Sequence, residues 1–291
     1  MAPSGMNLRD ALADADRRRV AIGHFNISDL AALKGVVAAA AALRLPVLVG
    51  VSEGERDFVG VHEIAALIRT IRAEHPYPIF LNADHTHSLS RAEEAARAGF
   101  DEIIFDGSAL SFDENVRETK RAVEAIRAID PSIVIEGEIG YIGTSSAVLT
   151  EVPKGMGNLT TPAEAKAFVQ ATGIDVLAPA VGNMHGMLAS MVRGDARKRL
   201  DIERIKAIKD ETGVLMTLHG GSGTDDEDFR RAIKAGMTIV HINTELRLAW
   251  RRSIESALAQ HPDEVAPYKI LPDAVKAVQE VVTGRLRLFS S

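Results

Sequence analysis

The sequence predicts a (β/α)₈ barrel, folded as a single domain over residues 1–291 with a helical extension at its C-terminus. Three observations carry that expectation. Short apolar runs alternate eight times with amphipathic segments. Glycines recur where a helix should end and the next strand begin. Finally, His85, Glu138, His185 and His219 close or directly follow four different apolar runs, IFLNADH, IVIEGE, VLAPAVGNMH and LMTLH. A parallel barrel gathers its strand ends at the C-terminal face, so residues distant in sequence meet there. An open doubly wound sheet would explain the strands but not four convergent ligands.

The strands are expected at residues 20–26, 46–52, 79–85, 102–108, 132–140, 176–182, 215–221 and 239–245. Their near-continuous Val, Ile, Leu and Phe content is that of parallel strands buried on both faces. Helices are expected between them at 30–43, 61–73, 91–98, 115–129, 162–171, 202–210 and 226–235, then at 246–258 after the last strand. A further helix at 272–282 forms the extension. Ser90 with Glu93, Thr161 with Glu164 and Thr224 with Glu227 fit capping boxes, and Pro162 suits a first helical position. Gly99, Gly173, Gly213 and Gly236 suit helix C-caps. Two connections are long. Residues 140–161 carry Gly143, Gly155 and Gly157, and residues 184–200 carry a basic run of Arg193, Arg197, Lys198 and Arg199. Long loops on the catalytic face often cover or bind a ligand.

A chain of 291 residues, 46 % hydrophobic, is large enough for one sizeable α/β domain. The net charge of −6 gives no electrostatic reason to expect nucleic acid or a membrane surface as partner. Cysteine is absent, which excludes disulfides, thiolate ligands and a cysteine nucleophile. No stretch is apolar and long enough to span a bilayer, and residues 1–19 lack the apolar core of a signal peptide. A cytoplasmic enzyme is the expectation.

The chemistry follows from residue types at strand ends. Three imidazoles and a carboxylate suit Zn²⁺ or another borderline divalent ion. His85 lies beside Asp84 in NADHTH, where one group can hold metal and the other move a proton. A structural hydrogen bond is the plainer reading for a single strand-end histidine, and His87 competes for the ligand role. Glu136 and Glu138 alternate onto one face of strand five. A carboxylate inside an apolar barrel is costly unless it meets a cation or donors, so an internal salt bridge is the other reading. Glu138 lies nearer the C-terminal end and is the favoured ligand. His219 leads into Gly220, Gly221, Ser222 and Gly223, a turn whose free N–H groups suit a phosphate, with Asn243 and Thr244 as further donors. Glycines needed only for turn geometry are the alternative. No lysine lies in an expected strand, which argues against a barrel-buried Schiff base. Carbanion chemistry would then need a metal to polarise a carbonyl.

Taken in order, GHFNISDL, NADHTH, IFDGSALSFDENV, IEGEIG, GNMHGM, LHGGSG and HINTEL resemble the class II, zinc-dependent fructose-bisphosphate/tagatose-bisphosphate aldolase family over nearly the whole chain. The resemblance implies a (β/α)₈ barrel that reversibly cleaves a phosphorylated ketose to dihydroxyacetone phosphate and an aldehyde. It implies His85, His185 and His219 as zinc ligands and Glu138 as a carboxylate near an alternative metal position. Asp84 matches the acid that handles the aldehyde-side proton. Gly186, Gly220, Ser222, Asn243 and Thr244 match the cradle of the donor phosphate, with a monovalent cation beside it. Ser52 matches a position near the donor end. A homodimer or homotetramer is implied.

Three departures from the family pattern surround the substrate rather than the metal. His241 stands where the family usually has asparagine, and can act as a base or bind substrate. The loop after strand five reads YIGTSSAVLTE, with Ser145 and Ser146 in the region of the usual proton-abstracting glutamate and Glu151 further on. Met187 and Leu188 follow Gly186, where bisphosphate enzymes often carry a lysine. The expectation is a class II aldolase with an altered substrate or base. A metal-dependent sugar-phosphate isomerase or epimerase, and a silent sugar-phosphate-binding barrel, are the competing readings.

Overall fold

A computed structural model of the chain describes residues 6–143, 145–153 and 157–291. Eight parallel strands close into a barrel: β1 (Ile22–Asn26), β2 (Val47–Val51), β3 (Ile79–Thr86), β4 (Glu102–Phe105), β5 (Val134–Ile139), β6 (Val176–Pro179), β7 (Leu215–Leu218) and β8 (Met237–Ile242). Each pairs with its sequence neighbour, and β8 closes on β1 with Ile22 opposite Ile239 and His24 opposite His241. The crossovers are α2 (Leu30–Leu43), α3 (Glu53–Val59) with α4 (Val61–Glu74), α5 (Leu89–Ala98), α6 (Phe112–Ile129), α7 (Pro162–Thr172), α8 (Ala189–Arg193) with α9 (Ile202–Thr212), and α10 (Asp226–Ala235). After β8 come α11 (Thr244–Gln260) and α12 (Pro267–Phe289), and α12 packs along α2 and α11. Among the described residues no helix is long and apolar enough to cross a membrane.

Several local expectations shift. Strands four, six and seven end three residues sooner than their apolar runs suggest, because residues just past them turn into site-bearing loops. Thr161 and Glu164 do form a capping box ahead of Pro162. At α5, however, Ser88 rather than Ser90 is the cap, accepting from the Arg91 N–H. At α10 the cap is Asp225, because the Thr224 N–H is already bonded to the Gly221 carbonyl in the preceding turn. The extension starts at Pro267 and contains Pro272. Helices α1 (Leu8–Arg18), α3 and α8 are additional to the expected set. Gly155, expected in the loop after strand five, lies outside the described residues, as do residues 1–5 and Thr144.

The barrel interior is layered. Ile22, Leu48, Phe80, Val134, Val176 and Ile239 form a lower apolar layer, sealed from below by Leu8, Ala11, Leu12 and Ala15 of α1. Burying each large side chain there contributes roughly 1.5–3 kcal/mol. Two residues further along the strands, the same faces turn polar: His24, Asn82, Glu136 and His241 are all buried. Gly50 belongs to this level because His24 fills its place. A Cβ at Gly50 would lie 2.1 Å from the His24 ring.

Candidate active site

Simple alternation along β3 would point Asp84 inward and His85 outward. A register irregularity between Ala83 and Thr86 breaks that alternation, as bulges do. His85 adopts a left-handed backbone conformation, φ +42°, so its ring also reaches the rim of the barrel. For a histidine this conformation is strained, and such strain persists only where the surroundings impose it. Arg56 of α3 is part of those surroundings. Its buried guanidinium donates to the Val51 carbonyl (2.9 Å), the Asp84 carbonyl (3.3 Å) and Thr86 Oγ1 (3.1 Å).

His85, His185 and His219 each offer a ring nitrogen, all within 4.8 Å of one another. One nitrogen of His85 is engaged, Nδ1 lying 2.8 Å from Asp106 Oδ2, while Nε2 has no partner. His219 Nε2 lies 2.6 Å from Glu136 Oε1, and its Nδ1 has no partner. Glu136 is itself fixed by the Thr217 hydroxyl, which donates to Oε2 at 2.5 Å. His185 Nε2, Glu138 Oε2 and Asp84 Oδ1 are likewise buried without partners. Buried polar atoms are normally hydrogen-bonded, and leaving one unpaired costs about 1–3 kcal/mol. His219 Nδ1 and Glu138 Oε2 face each other at 3.3 Å, two electron-rich atoms that need a proton or a cation between them. The residues therefore fit a divalent cation, and the carboxylates behind His85 and His219 orient the rings as metal-site partners do.

The electrostatics carry the same message. Burial and the adjacent Asp106 push Glu138 well above the usual carboxylate range. Burial, with Asp84 nearby, pushes Glu136 up to about 8 against the Thr217 hydrogen bond. Burial and the neighbouring His85 push His219 down to about 3 and hold His185 well below its ordinary value. Burial opposes the charge on His85, but Asp84, Asp106 and Glu138 outweigh it and raise this imidazole. Burial also opposes ionised Asp84, yet His85, His24, His219 and the Asn26 hydrogen bond hold it low, so it is a carboxylate.

Gly186, Gly220, Ser222, Asn243 and Thr244 converge on one cleft together with Asn26, Asp84, Ser146, His185 and His241. At Gly220 the backbone is left-handed, φ +59°, and a Cβ would lie 2.4 Å from the Met184 carbonyl, so two loops meet there with no room for a side chain. Ser222 Oγ accepts from the N–H groups of Asn243 and Glu245, locking the β7 loop to the start of α11. Ser52 is not in the cleft lining. It caps α3, and its N–H donates to Glu55, which accepts from Asn26, which in turn donates to Asp84.

The three departures resolve differently. His241 is buried and stacked on His24, with ring centroids 3.5 Å apart, and also on His219 at 4.2 Å. Its Nδ1 lies 3.6 Å from Asp84 Oδ1, its Nε2 has no partner, and burial and the adjacent His24 keep it neutral. In the loop after β5, Ser146 reaches the cleft, whereas Glu151 is exposed and outside its lining. Met187 and Leu188 pair with Val148 and Leu149, and Met184, Met187 and Met191 form a small apolar cap above the loop. A lysine nevertheless arrives. Lys198, inside the expected basic run, is only 4 % exposed, and its Nζ lies within hydrogen-bond distance of the carbonyls of Met184, Gly186, Gly220 and Ser222, which share its three donors.

Sequence reasoning missed Asp106, Asn26, His24 and Lys198. Asp106 directly follows β4, which is the signal that could have found it.

A parallel barrel with these groups at its C-terminal rim is a metal-dependent barrel enzyme. The family model described as fructose-bisphosphate aldolase class-II matches residues 6–291. The chain is 32 % identical over 292 residues to a fructose-bisphosphate aldolase of Geobacillus stearothermophilus, covering 98 % of this chain and 97 % of that one. It is 30 % identical to a probable fructose-bisphosphate aldolase of Bacillus subtilis (strain 168), covering 98 % of each chain. The crystal structure of the YdjI aldolase from Escherichia coli K12 superposes with a TM-score of 0.82 at 29 % identity, covering 97 % of this chain and 96 % of that one. The chain belongs to the class II fructose-bisphosphate aldolase family, metal-dependent lyases that cleave a carbon–carbon bond of a phosphorylated sugar by retro-aldol chemistry.

Proposed function

We propose that this aldolase cleaves a ketose 1-phosphate or ketose bisphosphate reversibly to dihydroxyacetone phosphate and an aldehyde, working as one domain in the cytoplasm. The observation that carries the reading is the convergence of three unpaired, buried imidazole nitrogens, on His85, His185 and His219, beside the cleft. These three hold Zn²⁺ or another divalent ion, with Glu138 close enough to serve as an alternative ligand. A bound divalent ion supplies Lewis-acid polarisation of the donor carbonyl and stabilises adjacent negative charge.

The chain's own groups do the rest. Asp84, ionised and held by Asn26, takes the hydroxyl proton on the aldehyde side as the carbon–carbon bond opens, and returns it in condensation. His241, neutral and facing Asp84, accepts the donor's α-proton in condensation and gives it back in cleavage. Gly186, Gly220, Ser222, Asn243 and Thr244 receive the donor phosphate, with the N-terminus of α11 adding its dipole. Ser52 acts at a distance, by fixing Glu55 behind Asn26 and Asp84. The altered groups at His241, Ser146 and Met187 favour a ketose phosphate other than fructose 1,6-bisphosphate. The C-terminal extension, with exposed Tyr268 in its first turn and exposed Val265 just ahead of it, suits assembly into a homodimer or homotetramer.

The test is a panel of ketose 1-phosphates and bisphosphates incubated with zinc-loaded protein, reading dihydroxyacetone phosphate release with and without chelator. Chelator-sensitive release from at least one substrate is expected. Interconversion of sugar phosphates with no triose product would instead make the protein an isomerase or epimerase.

A further inference from the structure

Lys198 is a buried lysine that the chemistry above does not use; burial draws its ammonium down to about 7, against the pull of Glu245. Its backbone is pinned beside the β7 loop, its N–H donating to the Gly223 carbonyl (2.9 Å) and its carbonyl accepting from Asp225 (3.2 Å). From there the side chain runs inward. Nζ lies 2.6 Å from the Met184 and Gly186 carbonyl oxygens, 2.8 Å from Gly220 and 2.6 Å from Ser222. None of these partners is a carboxylate. Four carbonyl dipoles from two separate loops thus point at one spot, an arrangement that repels itself unless a positive charge sits at the centre. A neutral amine would aim its lone pair at one of those oxygens, whereas an ammonium has donors only.

Position gives this charge a role. Met184 and Gly186 flank His185, while Gly220 and Ser222 follow His219. Gly186, Gly220 and Ser222 also line the cleft. No lysine or arginine is among the described residues lining that cleft, although a phosphate brings negative charge to it. The nearby arginines are committed elsewhere, Arg247 to Glu55 and Arg285 to Glu245.

We infer that Lys198 is a built-in monovalent cation for the donor-phosphate cradle: its ammonium clamps the loops after β6 and β7 together and supplies the positive charge the cleft lining lacks, so the enzyme needs no K⁺ or Na⁺ from solution. This rests on the proposed phosphate cradle. Lys198 is a positioning residue, acting through the loop backbone rather than on the reacting atoms.

The experiment measures inorganic phosphate binding by calorimetry and the thermal midpoint of the zinc-loaded protein in choline chloride, KCl and NH₄Cl at equal ionic strength. Wild type is expected to bind phosphate equally in all three salts. Lys198→Ala, which opens the space a small cation needs, is expected to bind phosphate roughly tenfold or more weakly in choline chloride, the loss typical of a charge-assisted hydrogen-bond network, with a lower thermal midpoint. K⁺ or NH₄⁺ should restore both by entering the space among the carbonyls. Three results overturn the role of Lys198: wild-type binding that depends on K⁺, a Lys198→Ala variant that matches wild type in choline, or a folded variant that no cation restores. If the variant does not fold, the wild-type comparison decides alone, salt independence supporting the inference and dependence overturning it. Absence of phosphate binding by wild type in every salt overturns the cradle itself, and the inference with it.

Discussion

The two ends of the barrel interior are built from the same strands and are equally hidden from water, yet they are opposite in kind. At the lower end Ile22, Leu48, Phe80, Val134, Val176 and Ile239 pack against α1 with no polar atom to satisfy. Two to four residues further along, His24, Asn82, Asp84, Glu136, Glu138, His219 and His241 are just as buried, and five of these seven carry an atom with no partner. The lower layer contributes stability by excluding water. The upper layer sacrifices stability, since unpaired polar atoms and crowded carboxylates are costly without a cation. One fold therefore separates what holds it together from what it does, along a single strand direction.

That contrast breaks in predictable ways. The largest effect is expected at the imidazole cluster. His185→Ala should lose bound metal and lower kcat/KM by on the order of 10³-fold or more, with little change in the unfolding free energy of the metal-free protein, as metal analysis and denaturant titration in chelator would show. The converse belongs to the lower layer. Phe80→Ala should cost about 3–5 kcal/mol of stability while the folded fraction keeps its kcat. A fall in kcat matching that at His185 would erase the distinction between the ends. Glu136→Gln should act more gently, weakening metal affinity about 10–100-fold by loosening the His219 ring, measured by competition with a chromophoric chelator.

The smallest effect is a pH dependence of folding. Burial pushes His24 down to about 4, so between pH 6.5 and 4 the unfolded chain binds a proton that the native chain does not. Stability from this group is therefore complete above the unfolded value and falls as pH drops toward the folded one. Unfolding free energies from denaturant titration at pH 7 and pH 5 should differ by about 2 kcal/mol from His24 alone, in favour of pH 7. Glu136 and Glu138, raised by burial, add an opposite slope of their own, so the readout is the difference between wild type and His24→Asn, and identical pH slopes in the two would contradict a buried neutral imidazole at His24.

What the sequence reveals about this molecule depends on whether a residue's role is local. The strands are legible because each is a nearly uninterrupted apolar run, and His85, His185 and His219 are legible because a barrel must bring strand ends together. Helix α1 left a readable trace in Leu8, Ala11, Leu12 and Ala15, spaced for one helical face, but nothing local says that this face plugs a barrel. The bulge that turns His85 inward depends on how β3 meets β4, and no pattern in NADHTH announces it. Lys198 is the sharpest case. Its neighbours Arg197 and Arg199 make it read as one of a solvated basic run, and the Arg199 side chain is indeed 69 % exposed. Only the return of the loop beside Thr224 turns Lys198 inward, and that is a tertiary event.

The central claim is that the polar end of the barrel, with a metal held by His85, His185 and His219, loosens a proton next to the donor carbonyl. It is tested most directly by following deuterium uptake into dihydroxyacetone phosphate in D₂O, which requires no knowledge of the aldehyde. Exchange by the zinc-loaded enzyme, abolished by chelator and restored by added zinc, is the predicted result. Fully metal-loaded protein that leaves the donor unexchanged, or exchange indifferent to chelator, would contradict it.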